Sequence, residues 1–340
     1  MNTSEREQKT TERTAPMFPA LSLMERDAPP VRYGRPPFWR APVPAPAAAA
    51  FIPSWNWQRS RADLPDDAPT VTLDVNGAFL GAISHVPIAH CQLTRTGGMR
   101  GYPDHRALNP GYYKITIPYW AFGRDIVHPL GDSALLETEE TVTVLAPTLQ
   151  LLLELAGAGH IGPFEILDSC TATVHTNFRT WARHLSALRL ERLDQVDIAH
   201  PSGRRPHKCP CTACVSYKSF KDGYSAAFSM MLTGEKCLTH RPDWSHTVYA
   251  QHAAAQWRKA WRYSSTHKIV SMGHTDELRV LREDLDTAMM LARPPLRVDE
   301  TGRNLGAFKT KAFGSTRDVL SVAARRDVEG ILPTDAGDIL

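Results

Sequence analysis

The stretch Thr70 to Ile83, TVTLDVNGAFLGAI, constrains this chain more than any other. It opens as a β-branched, apolar run, Thr70-Val71-Thr72-Leu73, which suits a pleated and half-buried surface. It reaches a single carboxylate at Asp74, then the small residues Gly77 and Ala78, then Phe79. The pattern predicts a strand over 70–75 and a short helix over 77–84. A strand that ends on one acid and bends under an aromatic ring can hold a metal ion beside a flat substrate. Many strands end on Asp, so the reading gains force only if other acids and cations converge on Asp74.

The rest of the composition leaves room for such a site. The chain has 340 residues, enough for one large domain or two modest ones. A hydrophobic content of 42% supports a real core, and a net charge of +3 does not by itself call for a nucleic-acid partner. No run approaches the roughly 18 apolar residues of a membrane span, and the polar N-terminus lacks the apolar core of a secretory signal. Three of the six cysteines crowd at Cys209, Cys211 and Cys214. That is no disulfide framework, and the expected location is the reducing cytoplasm.

Residues 1–66 read as a Pro- and Ala-rich tail without helical or strand period. Strands are expected at Tyr112–Tyr119, Thr141–Leu145 and Gly162–Leu167, and helices at Ala146–Ala156 and Thr176–Leu193. A polar insertion spans Asp194–Cys214. Helices follow at Tyr217–Leu232 and His246–Tyr263. The apolar segments Lys268–Met272 and Leu278–Leu281 flank Gly273-His274-Thr275-Asp276-Glu277 and read as a β-hairpin. A helix is expected at Glu283–Leu291. The remainder is basic and Gly-dotted, with a weak helix near Thr316–Arg326. Strands and helices without regular βαβ alternation indicate the α+β class.

Asp276, at the hairpin tip, is the second acid. Asp74 and Asp276, from separate strands, can clamp divalent ions, although Asp is also an ordinary turn residue. On the helix between them Lys218, Lys221 and Ser225 share a face, with Phe228 near a turn further on. Such a face suits a triphosphate with a stacked base; it equally suits a solvated amphipathic helix. Arg179, Arg183, Arg189 and Arg192 on the preceding helix can grip phosphates or serve solubility. His207, Cys209, Cys211 and Cys214 offer four zinc-type ligands, or three thiols in a loop. His105, His160 and His252 read as packing or surface residues.

The order of the Asp74 motif, the Lys221 helix and the Asp276 hairpin resembles the polymerase core of family B DNA polymerases, most of all the protein-primed branch. LDVNGAFLGAI is similar to the first palm motif, with Gly77 and Phe79 where the family has Ser and Tyr. KDGYSAAFS is similar to the fingers motif: Lys221 and the aromatic at Phe228 are kept, while Ser225, Ala226 and Ser229 differ. VSMGHTDELRVL is similar to the second palm motif, with His274 in place of its first acid. The resemblance covers roughly Thr70 to Ala312.

The resemblance implies an antiparallel palm sheet with packed helices, a helical fingers element and a short or absent thumb. The implied segments are palm at 67–175 and 235–292, fingers at 176–234 with the insertion at 194–214, and a reduced thumb or tail at 293–340. It implies a nucleotidyltransferase that adds dNTPs to a DNA primer-template with Mg2+ or Mn2+ and without proofreading. Asp74, Asp276 and the Val75 carbonyl would hold the metal. Lys221 and Arg189 would bind phosphates, with Ser225 and Phe228 beside the nucleotide and Phe79 excluding a 2′-hydroxyl. A terminal protein or other replication protein is an implied partner. His274 and the altered fingers motif keep a second expectation open, a non-catalytic relative that binds DNA or a terminal protein. A structural Zn2+ at the cysteine cluster would brace the fingers tip.

Overall fold

In a computed structural model of the chain the described residues are 49–131, 135–201, 209–233, 241–274 and 276–317, with no side chains described for 135, 227–233 and 274. They divide into two compact units. The first takes 49–53, 77–119 and 135–254; the second takes 54–76, 120–131 and 255–317. Among the described residues no helix is long and apolar enough to cross a membrane.

The second unit is built on one five-stranded sheet, ordered Trp55–Gln58, Ile269–His274, Glu277–Leu281, Pro69–Val75, Phe308–Ser315. Every pairing is antiparallel. Pro69–Val75 lies inside the sheet, and Thr70 to Leu73 and Val75 are all buried. A strand buried on both faces reads as a nearly continuous apolar and β-branched run, as this one does. Arg59 ties the segment 120–131 to the sheet. Its Nε donates to the Ile269 carbonyl at 2.8 Å, and its Nη1 meets Asp125 at 3.1 Å. Trp257 and Trp261, one helical turn apart, stack at 5.4 Å, and both ring systems meet Trp120.

The first unit has a four-stranded antiparallel sheet, ordered Thr94–Arg95, Ile166–Thr171, Gly111–Thr116, Thr141–Leu145, and a small pair, Ile88–Ala89 with His175–Thr176. Helix Ala146–Gly157 starts directly from the last sheet strand, with Pro147 in its first turn, where a missing N–H costs nothing. The helices Arg179–Ala199 and Thr212–Thr233 pack on each other, with the Arg192 guanidinium over the Phe220 ring at 4.5 Å. Arg241 is almost wholly buried and forms a two-point pair with Asp243, at 2.8 and 2.6 Å.

Mixed helix and antiparallel sheet agrees with the expected α+β class. Several boundaries differ. Trp55–Gln58, inside the expected tail, is a strand because Ile269–His274 supplies its partner. The strand expected at Gly162–Leu167 runs instead at Ile166–Thr171, whose polar residues are satisfied by the Thr96 hydroxyl and the Gly97 carbonyl. Helix Arg179–Ala199 continues into the expected insertion, and Phe308–Ser315 is a strand where basic tail was expected. The helix expected near Thr316–Arg326 falls almost entirely outside the described residues, as does the tail before residue 49.

Candidate functional site

The sheet of the second unit sets Asp74 against the hairpin. Glu277 lies opposite Asp74 on one neighbouring strand and Lys309 opposite it on the other. Asp276, in the turn, brings its carboxyl into hydrogen-bonding contact with that of Asp74. Burial raises the Asp276 pKa above the ordinary carboxylate range, and the charge and hydrogen bond of Asp74 push the same way. Two carboxylates in contact cannot both ionise cheaply unless a cation stands with them.

Two lysines approach from Phe308–Ser315. Lys309 Nζ lies 3.0 Å from Asp74 Oδ2, and Lys311 Nζ lies 2.9 Å from Glu277 Oε2. The register slips between Thr310 and Ala312, a bulge centred on Lys311 that re-aims its side chain. The Glu277 carboxylate raises the Lys311 pKa through their hydrogen bond.

The strand end and the turn are held from below. Asn76 exchanges backbone hydrogen bonds with Gly306 and Ala307, and its side chain donates to the Asp299 carbonyl at 2.9 Å. Gln256 Nε2 donates to the Asp276 carbonyl at 3.3 Å. Lys259 Nζ donates to the Gly306 carbonyl at 2.6 Å and to Gln256 Oε1 at 3.3 Å, and sits 5.0 Å from the Phe308 ring. Burial, with the nearby Arg262 charge, pulls the Lys259 pKa down to about 8. Gly77 has φ +55°, a left-handed conformation that Gly adopts without strain, so a Gly rather than a Ser belongs at this turn.

The other expected site residues lie in the first unit, save Val75, which is buried in the second and pairs with Phe308. Phe79 packs edge-on against Tyr249 at 4.6 Å and His252 at 5.7 Å. Lys221 is exposed and Ser225 half-buried on Thr212–Thr233. Arg189 is almost fully buried and hydrogen-bonds Tyr224 on the partner helix. The Phe228 side chain and Thr275 lie outside the described residues.

Among the described residues one group of three or more His, Cys and acidic side chains has its ligand atoms within 4.8 Å of one another: His200, Cys209, Cys211 and Cys214. The three sulfurs lie 3.4, 3.4 and 3.3 Å from His200 Nε2. His207, the fourth ligand expected from spacing, lies outside the described residues. His200 takes the fourth corner because the helix runs on to Ala199 and delivers His200 as its C-terminal cap.

No protein-family model matches the sequence, and no curated protein matches it. The chain is similar to solved structures of Phi29 DNA polymerase. In the complex with primer-template DNA (post-translocation binary complex) the identity is 9% and the TM-score 0.48, over 79% of this chain and 46% of that one. In the complex with single-stranded DNA the identity is 10% and the TM-score 0.45, over 91% and 50%. In the orthorhombic crystal form the values are 10% and 0.47, over 78% and 47%. The chain thus spans about half the length of the solved structures it matches.

Sequence reasoning overlooked Glu277, Lys309, Lys311, Gln256, Lys259 and His200. The alternation Lys309-Thr310-Lys311 is a strand signal, and Gln256 and Lys259 are three apart on a helix that ends just before the hairpin. Both signals mark local structure, and neither announces its partners in the acid cluster.

Proposed function

We propose that the chain is a template-directed nucleotidyltransferase of the DNA polymerase kind, adding dNTPs to a primer, with Asp74 and Asp276 as its metal-holding acids. The contact between these two carboxyls, at the turn end of an antiparallel hairpin, carries the reading. The donor set is all oxygen and doubly anionic, which fits Mg2+ or Mn2+. Such an ion, when bound, activates a hydroxyl nucleophile and neutralises triphosphate charge. Asp74 and Asp276 hold it, with the Val75 carbonyl as the further donor that the resemblance implies. Gln256 and Lys259 keep the turn and the 299–307 loop in place. Lys309 and Lys311 bring positive charge to the acids, where a phosphate would need it.

Lys221, Arg189, Phe79, Ser225 and Phe228 serve the nucleotide in this proposal, a role that rests on the family resemblance. The exposed Lys221 ammonium can meet a phosphate directly; buried Arg189 acts through Tyr224 by holding the helix pair. The partners are primer-template DNA and dNTPs, with a terminal protein or another replication protein as the source of the priming hydroxyl.

Incorporation of labelled dNTP on a primed template, with Mg2+ or Mn2+, tests the proposal. Activity in the wild type that is lost in both Asp74→Ala and Asp276→Ala supports it; activity that persists in both overturns it. A second reading, a non-catalytic relative that binds DNA, is favoured by the same lysines, since each already neutralises a carboxylate of the cluster. Binding of primed template without extension in either cation selects that reading.

A further inference from the structure

We propose that His200, Cys209, Cys211 and Cys214 form a closed tetrahedral zinc site that joins the ends of the two long helices of the first unit. The inference stands apart from the polymerase reading, and none of the four ligands serves in that reading.

The distances fit an ion. With Zn–S near 2.3 Å and Zn–N near 2.0 Å, a tetrahedron sets nitrogen and sulfur about 3.5 Å apart and sulfurs about 3.8 Å apart. The three nitrogen–sulfur distances are 3.3–3.4 Å, and all four ligand atoms lie within 4.8 Å of one another. Hydrogen bonding does not account for the arrangement. An imidazole Nε2 donates one hydrogen or offers one lone pair, and here three sulfurs surround it at equal range. A common ion at the centre explains why all three approach together. The backbone N–H of Cys214 also points to Cys211 Sγ at 3.5 Å, the outer hydrogen bond that steadies a thiolate ligand.

The donors choose the metal. Three thiolates and an imidazole disfavour Mg2+ and Ca2+, which take oxygen, and suit Zn2+. Four protein ligands leave no open position for water or substrate, so the site is structural. Its location says what it stabilises. His200 caps Arg179–Ala199, Cys209 and Cys211 precede Thr212–Thr233, and Cys214 lies in the first turn of that helix. The ion therefore holds the start of one helix to the end of the other. Below it, Arg192 on Phe220 and Arg189 on Tyr224 continue the contact between the same two helices.

The test uses the full chain, purified without chelator and without a histidine tag. Elemental analysis is expected to find about one zinc per chain. After chelation, Co2+ added to the wild type should give the intense ligand-field bands of a tetrahedral site with thiolate-to-cobalt charge transfer. His200→Ala and Cys211→Ser should lose at least nine-tenths of the zinc, whereas His207→Ala should keep it. The cobalt titration needs no variant and so does not depend on how the variants fold. A zinc-free wild type with an octahedral cobalt spectrum overturns the proposal. So does zinc retained in His200→Ala and lost in His207→Ala.

Discussion

Replacing Asp276 by Asn should make the cation-free protein more stable and make it indifferent to divalent ions. In the wild type the Asp276 carboxyl contacts that of Asp74, whose side chain is only 19% exposed. Two unit charges about 4 Å apart in an effective dielectric near 20 repel by about 4 kcal/mol. Lys309 and Lys311 offset part of this, so a net gain of about 1–2 kcal/mol is expected from the substitution. For a unit of roughly 100 residues that raises Tm by about 4–10 °C in a chelator. Adding Mg2+ or Mn2+ should reverse the order. Under the proposed function an ion at a hundred times its Kd would stabilise the wild type by about 2.7 kcal/mol, and the variant would lack one of the two carboxylates that hold it. The sign with pH follows from the raised Asp276 pKa. Below the ordinary carboxylate range the group is protonated in both folded and unfolded states, and the substitution gains nothing. As pH rises through the raised folded value the wild type must ionise the group against Asp74, so the variant's advantage grows and then levels. Thermal unfolding at several pH values, with chelator and with either cation, reads all of this. A variant that is less stable in chelator, yet responds to Mg2+ as the wild type does, refutes the reasoning.

Asp243→Asn should cost about 3–5 kcal/mol, because it leaves the Arg241 guanidinium, 1% exposed, without its counter-charge; a loss under about 1 kcal/mol in denaturant unfolding contradicts this. Lys259 is a half-buried cation with its pKa pulled down to about 8, so it binds fewer protons folded than unfolded above that pH. Wild-type stability should therefore gain from pH 8 upward relative to Lys259→Met, and parallel Tm profiles for the two proteins would count against the half-buried charge. Phe79→Ala removes an edge-on ring contact with Tyr249 worth about 0.5–1.5 kcal/mol beyond its buried area. Under the proposed function it should also raise the ratio of ribonucleotide to deoxyribonucleotide incorporation, and an unchanged ratio removes Phe79 from sugar selection.

What was legible in the sequence follows the range of the forces involved. Pro69–Val75, Thr141–Leu145 and the hairpin declare themselves through local β-branched runs and turn residues, and the structure has them near their expected places. Phe308–Ser315 is a strand because Pro69–Val75 offers its edge and two acids receive its lysines. Nothing within the run Phe308-Lys309-Thr310-Lys311 announces those partners. Trp55–Gln58 is hidden in the same way by its Pro- and Ala-rich surroundings. At the cysteine cluster, spacing favoured His207, the nearest His. The choice of His200 depends on how far a helix extends, which is decided by the packing of Leu193 and Val196 in the core. Asp74 and Asp276 were legible as acids at strand ends, whereas their contact is a product of register.

That register also has a kinetic meaning. Asp74 pairs with Glu277, about 200 positions later in the chain, and the intervening stretch includes most of the first unit. Closing a flexible loop of that length costs about 4.7 kcal/mol of chain entropy. A ribosome would release Pro69–Val75 long before either of its neighbouring strands exists, so that strand spends much of synthesis with both edges open. Folding of the first unit shortens the effective loop before the hairpin emerges. The acid pair is therefore assembled late, by the final strands of the described chain closing on one of its earliest.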